Sequence, residues 1–187
     1  MAKNTENVLI KGLSGTVGKL ITFRQRAGKT IVGKSRRKNA GPLSDKALAV
    51  QARFKSSLGY AKIAVKDPAI KQLYEAVNGA DQSAFNLAFR DAFLVPKVES
   101  IDASNYRGAA GERITIRATD DFKVISVMVS ILDTLGNLIE AGDASVEPNG
   151  ADWVYHSTQK LPAITGSKIS ALAKDLPGNN GTLEIIL

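Results

Sequence analysis

The chain contains no cysteine, a single histidine and no apolar run long enough to cross a bilayer. Without cysteine there can be no structural disulfide, no thiolate zinc site and no cysteine nucleophile, and such a composition fits a reducing compartment. Serine-triad chemistry and metal-centred catalysis usually lean on histidine. The one present, His156, falls within a strand-like run beside Trp153 and Tyr155 and reads as a solvated strand position. The opening MAKNTENVLIKGLSG lacks the apolar core of a signal peptide. No stretch approaches the run of about 18 apolar residues that a membrane helix requires. Internal repeats and low-complexity tracts are absent too. These absences lead us to expect a soluble protein, cytoplasmic as synthesised, with neither a membrane nor a small-molecule substrate as its partner.

What is present is an ordinary share of core formers and an uneven distribution of charge. Hydrophobic residues make up 44% of the 187 positions, enough for a packed core. Residues 1–66 hold 15 Lys and Arg against 2 Asp and Glu, whereas residues 67–187 hold 10 against 16. A division of this size points to an anionic partner or to complementary ends that meet.

The basic end begins with Gly12, Gly15 and Gly18, spaced by three among Val8, Leu9, Ile10, Leu13 and Val17. Glycine at this density suits bends and close backbone approach rather than a helix interior, and we expect it to give a flexible arm over 1–19. The runs 20–26 and 29–34 flank Ala27-Gly28 and read as a β-hairpin. Alternation places Ile21, Phe23 and Gln25 on one face and Thr22, Arg24 and Arg26 on the other. A basic loop with Arg36, Arg37 and Lys38 follows. Helical spacing of Ala47, Val50, Gln51, Phe54, Leu58, Ala61 and Val65 behind the cap Ser44 predicts a helix over about 44–65. Asp67-Pro68 opens a second helix that closes at Asn78-Gly79 and buries Ile70, Leu73, Tyr74 and Val77. A third starts near Asp81 or Ser83, buries Phe85, Leu87, Ala88 and Phe93, and stops before Pro96.

Beyond Pro96 the period changes from helical to two. Seven short runs, at 98–103, 112–119, 123–132, 137–141, 152–158, 167–173 and 182–187, are divided by turn residues such as Leu135-Gly136-Asn137 and the 177–181 segment. Ile114, Ile116 and Ala118 form one inward set, Val127, Val129 and Ile131 another, with Trp153 and Tyr155 as core anchors. The pattern is that of an antiparallel sandwich of immunoglobulin-like type without its disulfide. The expected fold is therefore α+β in two domains: a basic arm, hairpin and about three helices over 1–95, and an all-β sandwich of about seven strands over 96–187.

No constellation of side chains carries an enzyme reading. Gly18-Lys19 suggests a phosphate loop, but the motif needs glycine at 13 and Ser or Thr at 20, and both are leucine. No strand–GxGxxG–helix unit exists for a dinucleotide. Asp120 and Asp121 could bind a cation with Asp102 or Asp175, since sandwich loops can hold Ca²⁺ through carboxylates. Without a fixed-spacing ligand loop, a turn in which aspartates bond the local backbone is the simpler reading. No carboxylate pair is placed to argue for glycosidase chemistry. No metal, cofactor or catalytic residue is expected. The strongest signal is the basic segment, where Arg24, Arg26, Lys29, Lys34, Arg36, Arg37, Lys38 and Arg53 are the candidate partner-binding residues. It could neutralise nucleic-acid phosphates, but it lacks an aromatic platform for bases other than Phe23.

The stretch NVLIKGLSGTVGKLITFRQRAGKTIVGKSRRKNAGPLSDKALAVQARFKSSLGYAK resembles the opening of a family of uncharacterised Bacteroidota proteins. In these a glycine-spaced start, a strand pair and a basic loop precede a helix with an Arg-x-x-Phe core; here Arg53 and Phe54 stand closer together. DPAIKQLYEAVNGADQSAFNLAFRDAF resembles the continuation, and DASNYRGAAGERITIRATDDFKV with AKDLPGNNG resembles the attached sandwich. The resemblance implies the two-part architecture and no activity.

We therefore expect a non-enzymatic structural or assembly protein, a homo-oligomer or a component of a larger particle or filament. It would self-associate head to tail or dock on another protein through the basic module, with exposed strands at 20–34 open to strand addition. The alternative is non-specific nucleic-acid binding by the same surface.

Overall fold

In a computed structural model of the chain, residues 2–4, 8–26, 28–35, 41–77 and 82–187 are described. They form three helices and three four-stranded antiparallel sheets, a mixed α+β fold that is mostly β. No helix among these residues is long and apolar enough to cross a membrane. Two compact units divide the chain at 48/49.

The first unit is a sheet of strands β1 (Ala2–Asn4), β2 (Gly15–Val17), β3 (Ile21–Arg26) and β4 (Lys29–Lys34), in the order β1-β4-β3-β2. The hairpin expected over 20–34 is its centre, with Phe23 opposite Val32 and Arg26 opposite Lys29. Its neighbours are what sequence reading missed. β1 pairs with β4 and β2 with β3, so both hairpin strands are internal. The segment read as a flexible arm supplies the two outer strands. Gly12, Gly15 and Gly18 adopt φ of +83°, +107° and +59°, a region that glycine enters without strain; Gly12 and Gly18 lie in turns and Gly15 opens β2. Of the strands expected to be open to addition, β1 therefore covers Thr30, Ile31 and Val32 of β4 and β2 covers Ile21, Thr22 and Phe23 of β3, three of the six residues in each.

The second unit starts in α1 (Asp45–Ala64) and continues through α2 (Pro68–Ala76) and α3 (Ala84–Phe93). The expected caps are present. Ser44 accepts from the Ala47 amide, Asp67 from Ala69 and Ile70, and Ser83 from Asn86. Asn78-Gly79 and Asp81 lie outside the described residues. The buried faces match the expected ones in part: Ala61, Tyr74 and Ala88 are buried, and Val65, Ile70, Phe85 and Leu87 are partly so. α1 buries Ser57, Ala61 and Ala64, while Val50 and Phe54 stay about half exposed. α2 buries Tyr74 but not Leu73 or Val77, and α3 buries Ala84, Ala88, Asp91 and Ala92. Small residues win because close helix approach needs them, and the large rings pack at the rim. There Phe54 meets Phe89 at 4.9 Å between centroids.

Eight further strands follow: β5 (Lys97–Asp102), β6 (Arg113–Thr119), β7 (Val124–Leu132), β8 (Leu138–Asp143), β9 (Ser145–Val146), β10 (Asp152–His156), β11 (Lys168–Asp175) and β12 (Asn180–Ile186). They form two sheets, β5-β6-β10-β9 and β12-β11-β7-β8. Ile114, Ile116, Ala118, Trp153 and Tyr155 from one meet Val127, Val129, Ile131, Ile169, Ala171 and Ala173 from the other in a single core. Each buried Ile or Val contributes roughly 1.5–3 kcal/mol. The inward sets match the alternation in the sequence; the two-residue β9 went unforeseen.

The change of texture at residue 95 is not where the compact units divide. Phe122 and Leu176 from sandwich turns pack on the helical cluster, and the Phe122 ring lies 4.6 Å from that of Tyr74. The Asn179 side-chain amide donates to the Leu94 carbonyl at 3.2 Å, at the end of α3. Pro96, entering β5, runs so close to β12 that a Cβ on Gly181 would lie 1.8 Å from its carbonyl oxygen.

Candidate binding face and buried acidic cluster

In the N-terminal sheet, alternation sends Gln25 and Thr30 to one face, and the chain between β1 and β2 crosses there. Gln25 Nε2 donates to the Leu13 carbonyl at 2.6 Å and to Thr30 Oγ1 at 2.9 Å, and the Gly12 amide donates to Thr30 Oγ1 at 3.2 Å. Thr30 is sealed from solvent. The opposite face carries Thr22, Arg24 and Arg26 on β3, with Lys29 directly across from Arg26. Beside it Thr16, Lys19, Thr22, Arg24, Lys34 and Ser35 line a cleft of about 500 Å³. Its hydroxyls form a chain, Thr16 to Thr22 and Thr22 to Ser35, each 3.1 Å. Lys19 joins them because Gly18 and Lys19 both take left-handed φ, +59° and +56°, in the turn from β2 to β3. Two like charges directly opposed on a sheet destabilise it by a few tenths of a kcal/mol or more. The unit as a whole holds only Glu6 and Asp45 as acids.

Arg24, Arg26, Lys29 and Lys34 are thus gathered on one sheet. Arg53 is not among them. It lies on α1 in the second unit, its guanidinium 5.1 Å from the centroid of Phe93. Arg36, Arg37 and Lys38 lie outside the described residues. Lys19, Thr16, Thr22 and Ser35 were missed as a group because register, not spacing along the chain, brings them together.

A second constellation lies in the helix-bearing unit. Asp91 of α3, Asp120 of the β6–β7 turn and Asp175 at the end of β11 each present a carboxylate oxygen, all within 4.8 Å of one another. Asp91 and Asp175 have no solvent exposure. Asp120 Oδ2 accepts from the amides of Phe122 and Lys123, both at 3.2 Å. Asp175 Oδ1 accepts from those of Gly178 at 2.8 Å and Asn179 at 2.6 Å, and its Oδ2 from Asn179 Nδ2 at 2.7 Å. Asp91 Oδ2 accepts from the Tyr74 hydroxyl, itself 3.1 Å from that of Tyr60. Asp91 Oδ1 and Asp120 Oδ1 are buried without a hydrogen-bond donor. Burial above all, with repulsion from Asp120 and Asp175, pushes the Asp91 carboxyl up to about 7, against the pull of Tyr74. Burial raises Asp175 also.

Of the carboxylates singled out in the sequence, Asp120 and Asp175 meet. Asp121 instead pairs with Arg90, and Asp102 caps its own turn through the Ser104 amide at 2.9 Å. Asp91 was missed. Its signal was an acid seven residues from Ala84 and three from Ala88, on the apolar stripe of α3. Glu140 is likewise buried, its Oε2 accepting from Tyr155, from the amide and hydroxyl of Thr158 and from the Gln159 amide. His156 is exposed.

No family model and no curated protein matches the chain. Among solved structures it is similar to CopC from Methylosinus trichosporium OB3b, with 14% identity over 48% of this chain and 87% of that one and a TM-score of 0.35. It is also similar to a tetra-tandem repeat in the extending region of a large adhesion protein, with 21% identity over 48% of this chain and 22% of that one and a TM-score of 0.33.

Proposed function

We propose that the chain is a non-enzymatic assembly protein that associates with further copies of itself, or docks into a larger particle or filament, through its N-terminal sheet, with the two packed sheets as an immunoglobulin-like scaffold. The supporting observation is apolar. Val8, Val17 and Leu20 of the first unit are 84%, 63% and 71% exposed. Large apolar side chains left this exposed on so small a unit favour a contact surface. Glu75, Glu99, Asp121, Glu147, Asp152 and Glu184 are each ion-paired within the second unit, and Asp91, Glu140 and Asp175 are buried. Light scattering on nucleic-acid-free protein tests the proposal. The expected result is a mass above that of the monomer that rises with concentration and falls in a Val17→Lys, Leu20→Lys variant; a strict monomer across concentration and salt rejects it.

The open basic face with its hydroxyl-lined cleft favours a second reading, non-specific binding of nucleic-acid phosphates. Lys and Arg supply charge, and Ser and Thr hydroxyls supply the donors that phosphate oxygens take. With Lys19, Arg24, Arg26, Lys29 and Lys34 engaged, affinity for random duplex falls by roughly 500-fold between about 50 and 200 mM salt. No binding at low salt eliminates this reading.

A further inference from the structure

We infer that Asp91, Asp120 and Asp175 form a binding site for a divalent cation of the calcium class, which ties the end of α3 to the β6–β7 and β11–β12 turns. This inference stands apart from the assembly reading. Proximity of acids alone does not carry it. Two of the three carboxylates are wholly buried, and two carboxylate oxygens, Asp91 Oδ1 and Asp120 Oδ1, are sealed from solvent with no donor. A buried oxygen of this kind is costly unless something positive meets it. Among the described residues no lysine or arginine forms an ion pair with any of the three; Arg90, next to Asp91 in sequence, is held by Asp121. A single cation meets both oxygens at once. Three oxygens within 4.8 Å of one another suit one ion with metal–oxygen bonds of about 2.3–2.6 Å.

The other oxygens are already fixed. The Phe122 and Lys123 amides orient Asp120, the Gly178 and Asn179 amides and the Asn179 side chain orient Asp175, and Tyr74 orients Asp91. Such outer hydrogen bonds point carboxylates at a shared centre. Hard oxygen donors without nitrogen or sulfur select calcium, magnesium or manganese rather than zinc or copper. Asp120 is only half-buried and borders a cleft of about 210 Å³ shared with Phe122 and Asn149, which gives the ion a route in.

The test uses the full chain, stripped with chelator near neutral pH. Tb³⁺ is the probe, because Tyr74 bonds to Asp91 and can pass its excitation to a lanthanide held there. The expected result is tyrosine-sensitised Tb³⁺ emission that Ca²⁺ displaces. Ca²⁺ at about 100 times its dissociation constant should also raise Tm by about 5–10 °C. Asp120→Asn, which keeps an oxygen for the two amides, should lose both effects with unchanged circular dichroism. Three results overturn the proposal: no sensitised emission together with no rise in Tm under millimolar Ca²⁺, Mg²⁺ or Mn²⁺; an Asp120→Asn variant that binds as the parent does; or an Asp120→Asn variant that is more stable than the metal-free parent while neither responds to metal, which marks a cluster closed by a shared proton.

Discussion

Replacing Gly181 by alanine probes the seam where the sandwich begins and ends. The added methyl would lie 1.8 Å from the Pro96 carbonyl oxygen and 2.7 Å from its carbon. Both obstacles are backbone, so no rotamer change relieves them. Reaching ordinary contact means moving one strand away by about 1.5 Å. Overpacking a well-packed site costs about 1–3 kcal/mol when side chains can yield, and here only main chain can. We expect a loss of at least about 3 kcal/mol, a fall in Tm of roughly 6–12 °C for a chain of this size. The displacement also pulls Asn179 from the carbonyls of α3, so the helices loosen with the sandwich. Thermal unfolding followed by near-ultraviolet circular dichroism, which reports on buried Trp153, measures the loss. A Gly181→Ala protein within about 1 kcal/mol of the parent refutes the reasoning, because the seam would then be able to open at little cost.

Gly59→Ala should do the opposite: Gly59 lies inside α1 with nothing within 4 Å of a new Cβ, so stability should rise by about 0.5–1 kcal/mol in chemical denaturation. Burial raises all four tyrosines, Tyr60, Tyr74, Tyr106 and Tyr155, with Tyr106 pushed up to about 12. Folded values above the unfolded value of 10 mean that this stability is complete below pH 10 and is lost as pH climbs from 10 towards about 12, by up to about 3 kcal/mol for Tyr106. Phenolate absorbance should therefore stay low at pH 10 and appear together with unfolding. Glu140→Ala removes the buried carboxylate that accepts from Tyr155, Thr158 and Gln159 and should cost about 3 kcal/mol by denaturant titration, with Glu140→Gln near half of that. Deleting residues 1–19 removes both outer strands of the first sheet, and a lone hairpin is marginal in water. Limited proteolysis should then cut within 21–34 while the second unit stays intact; protection of 21–34 in the truncated chain contradicts the pairing.

The sandwich was legible in the sequence because its information is local. A strand with one buried face writes that face into every second residue, as Ile114-Ile116-Ala118 and Val127-Val129-Ile131 do. The helix starts were legible for the same reason, since Ser44, Asp67 and Ser83 act on amides two or three residues away. What was not legible depends on partners distant in the chain. Nothing within 1–17 says that Ala2–Asn4 will meet β4 and Gly15–Val17 will meet β3, so the segment read as a loose arm. Leu73 and Val77 sit on a fair helical stripe, yet only Tyr74 and, in part, Ile70 are covered by the neighbouring elements. Asp91 was hidden by its context of Ala and Phe, and only the turns that carry Asp120 and Asp175 make it part of a cluster. The basic face was half legible: alternation paired Arg24 with Arg26, but the hydroxyls of Thr16 and Ser35 arrive through register.

The strand order β1-β4-β3-β2 also sets an order of events. β2, β3 and β4 are joined in sequence by turns of two or three residues and can zip together quickly. β1 reaches β4 only when Asn4 finds Thr30, a closure over about 26 residues that costs about 2 kcal/mol more in chain entropy than a three-residue turn. The strand that comes first in this order is thus the last to pair. Until it does, the main chain of Thr30, Ile31 and Val32 faces outward with its hydrogen bonds unmade. A neighbour's residues 2–4 can compete for that edge once the concentration of chains nears the millimolar effective concentration of the chain's own segment. Concentration during refolding, rather than any difference in contacts, then decides whether a chain completes its own sheet or another's.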